Sequence, residues 1–302
     1  MSDAGREGGG SETDSESESG RESPEGGFVP LPDGRRMAFE VRGRDHGGTP
    51  ALLLRPLGGP MALWGEFRDV LAGKMRVIAF DPCGAGRSSP EPLGTTTREM
   101  ARDAVLVLDH LGVPRAHVFG ISLGGMVATW LAIDAPARVD RLCIASAGPV
   151  GLDLSHLDLG RGMAMAVCMM EPEEYVEAYL TREVLSRDVR NEELERVQEI
   201  MDTVAAEPAS RADILKHTLA AARHDARDEL HRIQAPTLVL TGDHDELMGS
   251  EPSAALSRGI PGARLEVIAG AGHDVTLEEP VATAERVAAF FLDQATRATA
   301  AP

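Results

Sequence analysis

The chain of 302 residues carries a formal charge of −18, from 30 basic and 48 acidic residues, and 43% of it is hydrophobic. Length and apolar content suffice for one large domain, or a domain with an insertion, around a sizeable core. An acidic balance without a basic stripe excludes a nucleic-acid partner, and no run approaches the ~18 apolar residues of a membrane span.

Residues 1–26 read as a disordered acidic tail, with eight acids and two arginines up to Glu25 and no aromatic residue. A Gly/Ser/Glu tract of this kind buries too little surface to order itself, the alternative being a docking segment. It lacks the basic start and apolar stretch of a secretory signal. Cys83, Cys143 and Cys168 are too scattered for a disulfide framework or a zinc site, so the expectation is a cytoplasmic protein with reduced thiols. A homo-oligomer is compatible with this composition.

Two short strands are expected near Phe28–Leu31 and Met37–Val41. After them strand and helix signals alternate. ALLL (51–54) precedes a Gly/Pro loop and a helix over 61–72, and MRVIAF (75–80) precedes a glycine loop and a helix over 97–111. HVFGI (117–121) runs into a helix over 123–135, and RLCIAS (141–146) follows. Such alternation indicates βαβ units and a mainly parallel sheet flanked by helices. From 151 to 232 the strand signal disappears, and EPEEYVEAYLTREVL, NEELERVQEIM and RADILKHTLAAA show helical spacing. Strands resume with PTLVLTG (236–242) and ARLEVIAG (263–270), before a closing helix in EEPVATAERVAAFFLDQ. The domain division is therefore a core over 27–150 and 233–296, a helical lid over 151–232, and a disordered end over 297–302.

The stretch FGISLGG places Ser122 between a strand and a helix, within G-x-S-x-G. In that setting a tight turn holds the serine oxygen proud of the sheet, and the helix start offers the Leu123 N–H to a developing oxyanion. A nucleotide-binding turn would require G-x-G-x-x-G and a later acid, and neither is present. A serine hydroxyl needs a base oriented by a carboxylate. His273 in GAGHDVTLEEP follows the last strand on a glycine-flanked loop, whereas His110, His117, His217 and His224 fall within regular elements. LTGDHDEL offers two acids; Asp245 lies farther from the strand end and has the reach to meet His273, leaving Asp243 to cap its own turn.

The order Ser122, Asp245, His273 resembles that of the α/β-hydrolases, and the likeness spans residues 27–293. LLLRPLGGPMALW is similar to the family's oxyanion loop, IAFDPCGAGRSS to its strand-four segment, and GDHDEL and GAGHDVTLEEP to its acid and base loops. The elbow and RVDRLCIAS most resemble 3-oxoadipate enol-lactonases and their relatives. The resemblance implies a second oxyanion N–H from Leu57. Relatives usually carry His-Gly where this chain has Arg55-Pro56, and often arginine where it has Cys83. Proline donates no hydrogen bond, but Leu57 follows it and can still donate. Arg55 either clamps a substrate carboxylate or braces the loop against a buried acid. Met163, Met165, Met169 and Met170 either line an acyl pocket or fill core, and Trp64 and Trp130 lie near the site.

These readings give a serine hydrolase that cleaves a small-molecule carboxylic ester or lactone through an acyl-enzyme. Ser122, His273 and Asp245 are the triad, and Leu57 and Leu123 form the oxyanion hole. Arg55, Trp64 and Met163 are the candidate substrate contacts. No metal or organic cofactor is implied. Perhydrolysis, carbon–carbon bond hydrolysis, acyl transfer and non-catalytic ligand binding are the alternatives on the same fold.

Overall fold

The computed structural model describes residues 25–151 and 184–293. Its centre is built from short apolar runs buried along their whole length: β3 (Ala51–Leu54), β4 (Val77–Phe80), β5 (Ala116–Ile121) and β7 (Thr237–Gly242). Runs of that kind satisfy their backbone groups in a ladder and need helices over both faces. Together with β1 (Glu25–Pro30), β2 (Arg36–Arg42), β6 (Val139–Ala145) and β8 (Arg264–Ile268), they form an eight-stranded sheet in the order β1-β2-β4-β3-β5-β6-β7-β8. β1 and β2 pair antiparallel, as do β2 and β4, and every pair from β4 to β8 is parallel. The chain therefore has the expected mainly parallel α/β architecture.

Successive residues of one strand serve opposite faces, as the pleat requires. Leu52 and Val118 point to the layer containing α2 (Thr97–His110) and α3 (Leu123–Asp134). Leu53 and Phe119 point to the layer of α1 (Gly65–Ala72) and α9 (Pro280–Leu292). α2 starts with a reciprocal cap in which Thr96 Oγ1 accepts the Glu99 N–H at 3.2 Å and Glu99 Oε2 accepts the Thr96 N–H at 2.9 Å.

Strand order changes direction between β3 and β5, since β4 lies on one side of β3 and β6 lies beyond β5. Ligands of open α/β sheets bind at the carboxyl ends of the strands flanking such a switch. The loops that follow β3 and β5 are the ones that carry Leu57 and Ser122.

Several elements differ from the sequence expectation. The helix expected over 61–72 is a 3-10 turn (Met61–Trp64) followed by α1, and the chain bends at Gly65, whose φ is 37°. Asp81 Oδ1 accepts the Met61 N–H at 2.6 Å at the start of the turn. β1 begins at Glu25, inside the stretch read as tail, because its residues pair with β2. α7 (Glu251–Gly259) was not anticipated; only Ser253 and Leu256 are buried in it, too few for an apolar stripe.

Between β6 and β7 the described residues carry α4 (Arg187–Glu192), α5 (Leu194–Ala206) and α6 (Arg211–Ala222). Leu185, Val189, Ile200 and Val204 pack with Leu63 and Leu277 as a small separate core. The methionines at 163, 165, 169 and 170, with Cys168, lie outside the described residues. No helix among the described residues is long and apolar enough to cross a membrane.

Candidate active site

Ser122 joins β5 directly to α3 with φ 54° and ψ −121°. A non-glycine residue in that region is strained and persists only where its surroundings over-determine it. Two neighbours show why they are glycines: a Cβ on Gly120 would overlap the Gly124 carbonyl, and one on Gly124 would overlap the Leu54 carbonyl oxygen. α3 thus starts against the exit of β3, where the Leu57 loop begins. Leu123 is its first residue, and the N–H groups of a first helical turn have no intrahelical acceptor.

The loops after β7 and β8 are laced together. His244 N–H donates to Ala271 O at 2.9 Å, and Gly270 N–H donates to Asp243 Oδ1 at 2.6 Å. Asp243 therefore caps the neighbouring loop, not its own turn. Beyond it, Asp245 Oδ1 accepts the N–H groups of Leu247 at 3.0 Å and Met248 at 2.9 Å. Its other oxygen, Oδ2, lies 2.9 Å from His273 Nδ1, and His273 Nε2 lies 2.8 Å from Ser122 Oγ. The three residues singled out from the sequence are thus brought into one hydrogen-bonded line, and both Asp245 and His273 are buried. With the Asp245 carboxylate accepting from Nδ1–H, Nε2 is left as the acceptor for the serine proton.

Burial raises the Asp245 carboxyl pKa, but the charge and hydrogen bond of His273 and the two N–H donors outweigh it and hold the pKa below the usual value. For His273, burial pushes the pKa down, and Asp245, then Asp274 and Glu278, push it up by more; the net shift is upward. An anion beside the ring favours the imidazolium that forms when the serine proton is taken.

Two of the proposed substrate contacts are placed differently. Arg55 is 4% exposed, and its Nη2 lies 3.3 Å from Asp274 Oδ2, with Cζ 4.6 Å from the Trp64 ring centroid. It braces the loop, and it also lines a cavity with Leu54, Cys83, Leu123 and Gly124. Trp64 is fully buried and packs on Phe67 and Phe119 under Arg55, as a core residue does. The physical cause is shared: the acid following the base draws the guanidinium inward, and the ring closes over it. Met163 lies outside the described residues. Cys83 is buried and its thiol is pushed up to about 12 by burial, which makes it packing and not a nucleophile at neutral pH. Among the described residues, no group of three or more His, Cys, Asp or Glu side chains is arranged to hold a metal ion.

Three acids were missed by sequence reasoning. Asp81, at the end of β4, accepts the Met61 and Arg87 N–H groups, and burial lifts its pKa to about 6. Glu278 Oε2 accepts Gly272 N–H at 3.0 Å, and its Oε1 accepts Ser186 N–H at 2.5 Å, pinning the base loop to the start of α4. Asp274 N–H donates to Val184 O at 2.9 Å, and its side chain meets Arg55. For Asp274 and Glu278 the available signal was their closeness to His273 in GAGHDVTLEEP; Asp81 had none.

The family model for serine aminopeptidases, S33, matches residues 67–280. The chain belongs to the α/β-hydrolase family. It is 31% identical over 246 residues to a putative carbamate hydrolase RutD of Azorhizobium caulinodans, covering 81% of this chain and 90% of that one. It is 28% identical over 252 residues to 3-oxoadipate enol-lactonase 1 of Acinetobacter baylyi, covering 82% and 90%. Among solved structures, Est816, described as an N-acyl homoserine lactone degrading enzyme, superposes with a TM-score of 0.73 at 29% identity, over 87% of this chain and all of that one. The hydrolase resemblance stated from the motifs is therefore correct, and the chain is a hydrolase.

Proposed function

We propose that this hydrolase cleaves a small-molecule carboxylic ester or lactone through an acyl-enzyme on Ser122. The observation that carries the reading is His273 bridging Ser122 Oγ at 2.8 Å and Asp245 Oδ2 at 2.9 Å. In the first half-reaction His273 Nε2 takes the serine proton as Oγ attacks the acyl carbon. The oxyanion accepts hydrogen bonds from the Leu57 and Leu123 N–H groups, and the imidazolium returns its proton to the leaving oxygen. In the second, water loses a proton to His273 as it attacks the acyl carbon, and the imidazolium returns that proton to Ser122 Oγ as the acyl bond to serine breaks. Water is the only co-reactant these steps need. The three relatives support the class, since carbamates, enol-lactones and acyl homoserine lactones each present an acyl carbon bearing an oxygen or nitrogen leaving group.

The insertion between β6 and β7 is read as the cover of the site. Ser186 and Val184 bond to the base loop, while Ile214 of α6 lies beside Gly58 on the oxyanion side. A fluorophosphonate probe followed by peptide mapping tests the nucleophile, and turnover of p-nitrophenyl esters against a lactone series tests the class. Labelling at Ser122 with hydrolysis of either set is expected. An unlabelled Ser122 in folded protein would overturn the reading.

A further inference from the structure

His273 is followed by a second buried carboxylate that the proposed mechanism does not use. Asp274 Oδ1 caps α8 (Val275–Glu278) by accepting the Thr276 N–H at 3.1 Å and the Thr276 hydroxyl at 2.6 Å. That duty needs only one oxygen, and an asparagine would perform it. Oδ2 is left to face Arg55 Nη2 at 3.3 Å, with both side chains nearly inaccessible. An uncompensated carboxylate beside a buried base would overstabilise the imidazolium and keep the base protonated; a buried guanidinium paired with it removes that bias.

The surroundings of His273 put Arg55 in a particular position. Asp245 approaches its Nδ1 from the loop after β7, Ser122 Oγ meets its Nε2 from the elbow, and Asp274 and Glu278 act on it from the base loop and α8. The charged neighbours of the ring are all acids. Arg55 enters from the exit of β3 and is held between Asp274 and the Trp64 ring, with Asp81 adding to the same field. Its Nε and Nη1 find no protein acceptor. Pro56 separates it from Leu57 and restricts the backbone between them, so the pair with Asp274 anchors the start of the loop that carries the proposed oxyanion donor.

We propose that Arg55 is a positioning residue for the base: its buried ion pair with Asp274 neutralises the carboxylate next to His273 and ties the Leu57 loop to the base loop. The inference rests on His273 being the base, as proposed above. One side chain then sets the charge balance at the proton acceptor and the placement of the oxyanion loop.

The test reads the His273 imidazole by NMR titration of the full-length protein, with His273→Gln to identify its resonances. Arg55→Met leaves Asp274 uncompensated and should raise the midpoint by at least about 0.5 unit. Asp274→Asn keeps the α8 cap, leaves Arg55 uncompensated, and should lower it by a similar amount. The double variant should return to within about 0.3 unit of the parent, and Arg55→Lys should stay near it. Shifts of the same sign in the two single variants, or none, would overturn the proposal, because a purely structural role has no reason to produce opposite signs that cancel. Should Arg55→Met not fold, Arg55→Gln, which also removes the charge, is titrated in its place, and an unchanged or lowered midpoint overturns the proposal. The titration needs no substrate, so its result is separate from the hydrolase reading, which fails instead if Ser122 escapes labelling.

Discussion

The loops after β7 and β8, which carry Asp245 and His273, are joined by backbone hydrogen bonds, by the Asp243 cap and by Glu278. The loop after β3, which carries Leu57, is held by packing against α3 and by one buried ion pair from Arg55. Proton transfer tolerates little error in the Ser–His–Asp line, so the acid and base are fixed redundantly. That loop is set at its start by the elbow glycines and the Arg55 pair, and at its far end by Asp81, which accepts the Met61 N–H. The comparison teaches where single substitutions should be catastrophic and where they should be graded.

The largest effect is expected at the shared centre of both regions. Ser122→Ala should fold normally and lose at least ~10³-fold in turnover together with fluorophosphonate labelling, because triad members act as a unit. Next comes the redundantly held side. Asp245→Asn keeps the shape but cannot hold the required tautomer, and should cost roughly 10²- to 10⁴-fold in kcat. Asp243→Asn removes only part of a cap on Gly270 and should cost less than about tenfold. The reverse ranking in matched assays would show that the acid is Asp243.

The same pair of groups predicts a pH profile. His273 is raised above the ordinary histidine value of 6.5, so the acid limb of kcat/KM should lie above it. Asp245→Asn removes the leading cause of that rise and leaves burial, so any residual activity should have its acid limb at lower pH. For stability the signs are opposed. The raised His273 contributes stability present below pH 6.5 that is lost as pH rises through its folded value. The lowered Asp245 contributes stability present above 3.8 that is lost as pH falls through its folded value. Denaturant midpoints across that range check both.

A smaller effect is expected where the base loop meets the insertion. Glu278→Gln leaves one amide oxygen for the two N–H groups that Glu278 serves, at Ser186 and Gly272. One buried donor then loses its acceptor, at a cost of about 1–3 kcal/mol in global stability. A stability change within error would mean that the two loops hold together without it.

How much of this was legible in the sequence follows the same division. Ser122, Asp245 and His273 could be read as the proposed triad because each follows a strand with a local signal, and their chain order resembles that of the family. The choice of Asp245 over Asp243 followed from reach, and the geometry agrees. The sequence leaves Arg55 between a substrate clamp and a loop brace, and makes Trp64 a candidate contact, because their sequence neighbours belong to the loop after β3. Their actual partners, Asp274 and Phe119, lie 219 and 55 positions away and carry no local signal. The Gly65 bend was likewise hidden, since one glycine at a positive φ leaves no mark on the apolar spacing around it. α7 was missed because a nine-residue helix with one buried leucine has no stripe to detect.

The smallest effect tests whether the oxyanion side moves as a whole. Cys83 lies in the loop after β4, beside that side, and Cys143 lies in β6 at the centre of the sheet; both thiols are buried and free. Burial raises both thiol pKa values, Cys83 to about 12, so the Cys83 thiolate fraction at pH 8 is on the order of 10⁻⁴ even before access is considered. A Cys168→Ser variant removes the third thiol. In that background an aromatic disulfide reagent should modify neither cysteine within minutes in native buffer, and both at once in denaturant. Over hours Cys83 should react before Cys143, because a loop opens locally at lower free energy than a central strand. Arg55→Met should speed the Cys83 reaction alone if the ion pair holds that side shut. Equal rates for the two cysteines in the parent would mean that the site opens only with the whole domain, and the contrast between its two sides would not extend to their motion.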